Sequence, residues 1–227
     1  PRQVPRVNDA SARLCQEERG RGILSFGCMH PEFPDWRSEL ARVAGMGLRG
    51  IKLHPVYQGT DFDDPRFLRI LERAGELGLL TVTHAGLDVG FPGKVNCAPE
   101  MVLRALKQVG PIPLVLAHMG GWRSWDQVEE LLSHTGVYLD TAFSLGSMTS
   151  NGDGYYRPED LPLLGEDQFL RLVRGFGAKR VLFGTESPWG DQSADLARLR
   201  ALPLTGAERD AILGGSAQKL LDLPARS

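Results

Sequence analysis

From about residue 20 onward the chain alternates between apolar positions at helical spacing and short, uninterrupted apolar runs, and a glycine closes most of the helical stretches. The spacing predicts a helix from Asp35 to about Met46, with Leu40, Val43 and Ala44 on one face and Gly47 as its stop. Asp64-Pro65 reads as an N-cap followed by proline at the first helical position, and Phe67, Leu68, Leu71 and Ala74 continue that helix until Gly78. Further helices start at Pro99, Ser124 and Asp167 and stop at Gly110, Gly136 and Gly177. Helices near 191–201, 205–213 and 216–222 close the chain, and a helix from about Asn8 or Asp9 opens it. Between these lie apolar runs read as strands: 23–28, Gly50 to Leu53, Leu79 to Thr83, Leu114 to Ala117, Val137 to Asp140 and Val181 to Gly184.

Apolar strands without alternation predict a buried parallel sheet, and helix-strand alternation predicts an α/β fold of the (β/α) TIM-type barrel. One domain over 1–227 is expected. Such barrels typically have eight strands and about 250 residues. Residues 1–20 contain no strand pattern, so the reading is either a barrel lacking its first two strands at the N-terminus or a more open sheet. Unpaired sheet edges would then expose apolar surface, leaving the chain poorly stable or paired as a homodimer. Between Asp140 and Glu186 the segment SLGSMTSNGDGYYRPEDLPLLGED is rich in Gly, Ser, Pro and Asp and reads as a long loop over the active face.

Composition narrows the function. A hydrophobic share of 42%, a charged share of 24% and a net charge of -2 describe a soluble globular protein with no electrostatic case for nucleic acid or an anionic membrane. No apolar stretch approaches the roughly 20 residues needed to span a bilayer, and no basic-then-apolar leader is present. Cys15, Cys28 and Cys97 are odd in number and widely spaced, which predicts reduced thiols and a cytoplasmic protein.

Four of the five histidines follow apolar runs at one repeated offset: His30 after GILSFGCM, His54 after GIKL, His84 after LLTVT and His118 after PLVLA. Glu186 takes the equivalent place after RVLFGT. Imidazoles and carboxylates gathered at one end of parallel strands are what a cation site on a β/α scaffold requires. Lys52 and His54 lie two residues apart on one strand and so face the same side, where a buried lysine needs an anionic partner: a substrate carboxylate or Glu186. Pro55 makes His54 an equally plausible turn residue, Pro31 weighs His30 further toward a turn, and His134 reads as a surface histidine at a helix C-terminus. Asp140 ends its strand, where it either lines the site or supports it. Trp122 and Trp189 either wall a substrate pocket or pack the core. Gly120 and Gly121 would open the backbone beside His118 to a substrate.

The segments GIKLHP, THAG, AHMGGW, VYLDTAF and FGTESPWG, with the terminal ILGGSAQKLL, resemble the amidohydrolase superfamily, in its amidohydrolase-related branch of metal-dependent hydrolases and nonoxidative decarboxylases. The resemblance runs from about residue 20 to 222. It implies a barrel with a divalent cation, most often zinc, at the C-terminal mouth. It makes His84 a metal ligand, His118 the group that orients or activates a metal-bound water, and Glu186 the acid that serves as ligand, general base or both. Lys52, His54, Trp122 and Trp189 are then the substrate-binding candidates. Two departures stand out: no His-x-His pair occurs anywhere in the chain, and glutamate replaces the aspartate usual at position 186. Metal-ligand distances tolerate only about 0.2 Å, so the extra methylene requires a shifted loop or a changed role. The expected function is hydrolysis or decarboxylation of a small organic substrate. The rivals are a two-metal phosphoesterase-type barrel bridged through Lys52, and a non-catalytic barrel remnant that binds or scaffolds.

Overall fold

The computed structural model describes residues 1–146 and 157–223. Among them are six parallel strands in sequence order: β1 (Gly27–Cys28), β2 (Gly50–Leu53), β3 (Leu80–Thr83), β4 (Leu114–Leu116), β5 (Tyr138–Asp140) and β6 (Val181–Leu182). Nine α-helices accompany them among the described residues: α1 (Val4–Glu17), α2 (Trp36–Gly45), α3 (Pro65–Glu76), α4 (Pro99–Val109), α5 (Trp125–Leu132), α6 (Glu166–Phe176), α7 (Gln192–Ala201), α8 (Gly206–Asp210) and α9 (Ser216–Leu220). Every neighbouring strand pair is parallel, which is the (β/α) barrel arrangement expected from the sequence.

The local reasons are those the sequence offers. The Asp64 side chain accepts the backbone N–H of Arg66 ahead of α3, and Phe67, Ile70, Leu71 and Ala74 form its buried face. Ser124 is a correction: its side chain makes no cap, and α5 starts without one. Residues 147–156, the middle of the expected long loop, lie outside the described residues. Its flanks pack rather than drape: Leu145, Leu161 and Leu164 are buried, and the Pro162 carbonyl accepts the indole N–H of Trp122 at 3.0 Å.

The edges of the sheet differ from the expectation of bare strands. Helix α1 covers β1, where the Asn8 amide oxygen accepts the backbone N–H of Cys28 at 2.7 Å. The same amide donates to Glu39 on α2 at 2.6 Å, and Glu39 in turn pairs with Arg42. At the other edge the Phe183 N–H donates to the carbonyl of Ile212, in the π-helical turn between α8 and α9. Helical segments therefore take the hydrogen bonds that an added strand would take, and the edge-based argument for a second copy loses its footing. Apolar surface does remain at Val7 and Leu14 on α1 and at Ile23 and Leu24 after it.

Candidate metal centre at the carboxyl ends of the strands

The strand register brings the histidines together. Leu53 on β2 pairs with Thr83 on β3, so the residues that follow, His54 and His84, leave adjacent strands side by side. Strands lie about 4.8 Å apart, and the two imidazoles stack with centroids 4.4 Å apart and planes 9° from parallel. Thr83 pairs with Leu116 on β4, which places His118 one position beyond the register partner of His84. Strand alternation alone would turn His118 to the other face. A left-handed backbone at His118 (φ 61) opens a short turn through Gly120 and brings its ring back toward His84.

Asp140, at the end of β5, supports that turn. Its Oδ1 accepts the backbone N–H of His118 at 3.0 Å and that of Ala142 at 3.0 Å. Gly120 and Gly121 do not open the backbone to a substrate as expected. A Cβ on Gly120 would meet the side chains of Val128 and Leu139, and Gly121 lies against the backbone of Gly86. The two loops pack tightly, and a Cβ on Gly86 would collide with the Trp122 amide nitrogen.

The hydrogen bonds set the proton positions. A carbonyl only accepts, so the contact from His118 Nδ1 to the Ala142 oxygen (3.1 Å) places a proton on that nitrogen. The Nε2 of His118 then accepts from Nδ1 of His84 at 3.0 Å. This leaves Nε2 of His84 as a bare lone pair, buried and without a hydrogen-bond partner. His54 repeats the pattern: its Nε2 lies 3.4 Å from Oδ2 of Asp88, while its Nδ1 is buried without a partner. Burial, with the charge of the Lys52 ammonium and the His118 ring, pushes the pKa of His54 down to about 4. Burial does the same to His118, to about 4, and holds His84 well below its ordinary value. All three imidazoles are therefore neutral at pH 7, the state in which they ligate metal.

One donor atom from each of His54, His84 and Asp88 lies within 4.8 Å of the others. Two imidazoles and a carboxylate are a donor set for a divalent cation, and buried lone pairs without partners fit that role. Asp88 went unrecognised in the sequence because it lies in the loop after β3, four residues past His84, rather than at a strand end. Its side chain is only 12% exposed, and burial raises its pKa.

The other expected residues fall around this trio. Glu186 is outside the donor group but lines the same small pocket, of about 30 Å³, with His54, His84, Asp88 and His118. Its backbone is left-handed (φ 50), and its carbonyl accepts the N–H groups of Trp189 and Gly190. Trp189 is 58% exposed at the mouth of a larger cleft of about 420 Å³, whereas Trp122 is 2% exposed and reaches only the small pocket. Lys52 lowers the pKa of His54, His84 and His118 through its charge and lines a second cleft with His54, His30 and Gln58. The Gln58 amide ties the ends of β1 and β2 together, from the Met29 carbonyl to the His54 N–H. His30 accepts the backbone N–H of Glu32 in its turn, and His134 is exposed on the surface.

The chain belongs to the amidohydrolase family, whose model matches residues 3–223. Its fold is shared with solved structures of low sequence identity. A 5-carboxyvanillate decarboxylase from Novosphingobium aromaticivorans, solved with manganese, is 16% identical, with a TM-score of 0.71 over 97% of this chain and 70% of that one. A dihydroxybenzoic acid decarboxylase from a Polaromonas species, solved with manganese and 2-nitroresorcinol, is 16% identical, with a TM-score of 0.66 over 96% and 74%. A Pseudomonas putida protein put forward as a 2-pyrone-4,6-dicarboxylic acid hydrolase is 21% identical, with a TM-score of 0.62 over 88% and 73%. Among curated protein sequences none matches the chain. No helix among the described residues is long and apolar enough to cross a membrane.

Proposed function

We propose that the chain is a metal-dependent hydrolase in which His54, His84 and Asp88 hold a divalent cation and His118 handles the proton. The observation that carries this reading is the trio itself: one donor atom from each of His54, His84 and Asp88 lies within 4.8 Å of the others, and each of the two imidazoles keeps one buried nitrogen without a hydrogen-bond partner. A buried polar atom left unsatisfied costs about 1–3 kcal/mol, and a bound cation offsets that cost.

A cation held there supplies Lewis acidity and lowers the pKa of a bound water to about 7. The chain's own residues supply the rest. His118 is neutral and fixed through Nδ1 on the Ala142 carbonyl, so its Nε2 accepts a proton from the His84 side of the site. Asp140 holds His118 in place as a positioning residue. Glu186 faces the same pocket from the rim, as the carboxylate that the sequence places among ligands or bases, and here serves the substrate side. Tyr57, Phe143 and Trp189 wall the cleft, whose size suits a small organic molecule.

Zinc is the expected ion for an imidazole-rich set; manganese, present in two of the structural neighbours, is the alternative. Decarboxylation is the second reading of the reaction, favoured by those same two neighbours. Three unpaired thiols suit a reducing compartment, and we place the protein in the cytoplasm. The buried lone pairs count against a non-catalytic remnant, because packing alone gives no reason to keep them.

The test is metal content per chain by plasma mass spectrometry, after purification without chelators, beside His54→Ala, His84→Ala and Asp88→Ala. Near-stoichiometric zinc or manganese that falls in all three variants is the expected result. Wild type holding no more metal than His84→Ala would overturn the proposal.

A further inference from the structure

We propose that residues 87–96 form a strap beside the substrate cleft, locked in place by a cation held at Asp88 and released when the cation is lost. This rests on the reading of the site as a metal centre and adds to it what the ion does to the chain around it. The strap leaves the body of the protein and returns to it at one place. The Gly86 N–H donates to the Cys97 carbonyl at 2.9 Å, and the Leu87 N–H donates to the Trp122 carbonyl at 3.1 Å. At the far end the Asn96 carbonyl accepts the Phe62 N–H at 2.8 Å. Pinned ends with a protruding middle make an Ω-loop, and such segments open at lower free energy than the elements they join.

Between those ends the strap bonds mostly to itself. The Phe91 N–H donates to the Asp88 carbonyl, the Lys94 N–H to the Phe91 carbonyl, and the Gly90 N–H to Asp88 Oδ1 at 2.7 Å. Leu87 and Val89 pack on the edge of the core, whereas Gly93 and Lys94 are exposed. Two further contacts tie the middle down. The Phe91 ring meets that of Tyr57 edge-on at 4.7 Å, and Asp88 Oδ2 faces His54 Nε2 at 3.4 Å and His84 Nδ1 at 3.7 Å.

The second of these is the weak point without metal. Both imidazoles are neutral at pH 7, held so by burial and by the charge of Lys52. Lys52 makes no ion pair with Asp88, and among the described residues no arginine does either. The carboxylate, 12% exposed, is then a charge removed from water with no opposite charge against it. That arrangement is unfavourable, so the metal-free strap gains by returning Asp88 to solvent. A cation held by the trio reverses the balance, while the Gly90 N–H keeps the turn. Asp88, Val89 and Gly90 line the cleft of about 420 Å³ beside Tyr57, so release of the strap removes one wall and the brace on that ring. Metal therefore binds first and substrate second.

Lys94 is the one trypsin site in the strap. Limited digestion of chelator-treated and manganese-loaded protein, with cleavage after Lys94 followed by mass spectrometry, tests the lock. Metal content is measured on the same samples. Cleavage of a segment that opens transiently tracks its open population, and manganese should slow this cut about tenfold. Asp88→Asn keeps an oxygen for the Gly90 N–H and removes the buried charge. Without metal it should be cut about fivefold more slowly than chelator-treated wild type, and manganese should leave it unchanged. Hydrogen exchange gives the location: manganese should protect the Gly90 amide more than the amides of α4. Manganese bound without slowing the cut overturns the inference and leaves the metal reading intact. So does equal protection of α4, or Asp88→Asn cut as fast as chelator-treated wild type. No uptake of manganese removes the metal reading and the lock with it.

Discussion

The carboxylate of Asp140, at the end of β5, accepts the backbone N–H of His118, in the turn that follows the neighbouring strand β4, at 3.0 Å. That bond, not the side chain's reach into the site, accounts for the aspartate. It holds a left-handed residue whose own preference would be elsewhere, since a non-glycine residue with positive φ is strained. Asp140→Ala strands two buried N–H groups, those of His118 and Ala142, and should cost about 2–4 kcal/mol. Asp140→Asn keeps an acceptor at Oδ1 and removes the cost of burying a charge, so it should retain most of the stability. Thermal unfolding by circular dichroism decides; equal losses in both variants would mean the charge, not the acceptor, matters.

The histidine trio makes stability fall in acid. The folded-state pKa of His54 and of His118 is depressed from 6.5 to about 4, chiefly by burial. Between those values the unfolded chain binds more protons than the folded one, so stability is full above about 6.5 and is lost as pH falls toward 4. The loss by pH 4.5 should be on the order of 5 kcal/mol for the two groups together in chelator-treated protein. Urea midpoints measured from pH 7.5 to 4.5 test it, with His118→Gln flattening the profile.

Gly86 has a positive φ (78) and no room for a Cβ beside the Trp122 backbone. Gly86→Ala should therefore cost at least about 2 kcal/mol through strain and collision together. The loops carrying Trp122 and the start of the Asp88 segment should shift with it, so metal affinity should fall as well. A variant that melts within a degree of wild type would show that these loops give way easily.

Asn8 serves the sheet edge. Asn8→Ala leaves the Cys28 N–H without its partner, removes one of the donors to Glu39 while Arg42 stays, and should cost about 2 kcal/mol. Amide hydrogen exchange at Cys28 is the sharper readout, because it reports that edge alone.

Much of this was legible in the chain before any coordinates. The glycine stops and apolar runs gave strands within a residue or two of those observed at Gly50–Leu53 and Leu114–Leu116. The shared offset of His54 and His84 gave the core of the cluster, because in-register parallel strands turn equal offsets into neighbours, whereas His118 sits one position further on and joins them only through its left-handed turn. Asp88 was not legible: its carboxylate arrives by the path of an irregular loop, which carries no periodicity to read. The turn at His118 was hidden for a similar reason, since nothing in AHMGG distinguishes glycines that admit a substrate from glycines that admit another loop. The covering of β1 by α1 depends on one side-chain amide, and Asn8 reads locally only as the start of a helix.

The three proposed ligands come from two neighbouring βα units, His54 after β2 and both His84 and Asp88 after β3, with His54 and His84 separated in sequence by the whole of α3. The site therefore does not exist in a partly ordered chain; it comes into being only when β2 and β3 are already in register. An ion that binds only the finished arrangement acts as a removable cross-link, adding about 2.7 kcal/mol to folding at a hundredfold excess over its dissociation constant. The cell's supply of free metal would then set how long this protein survives, as well as whether it works.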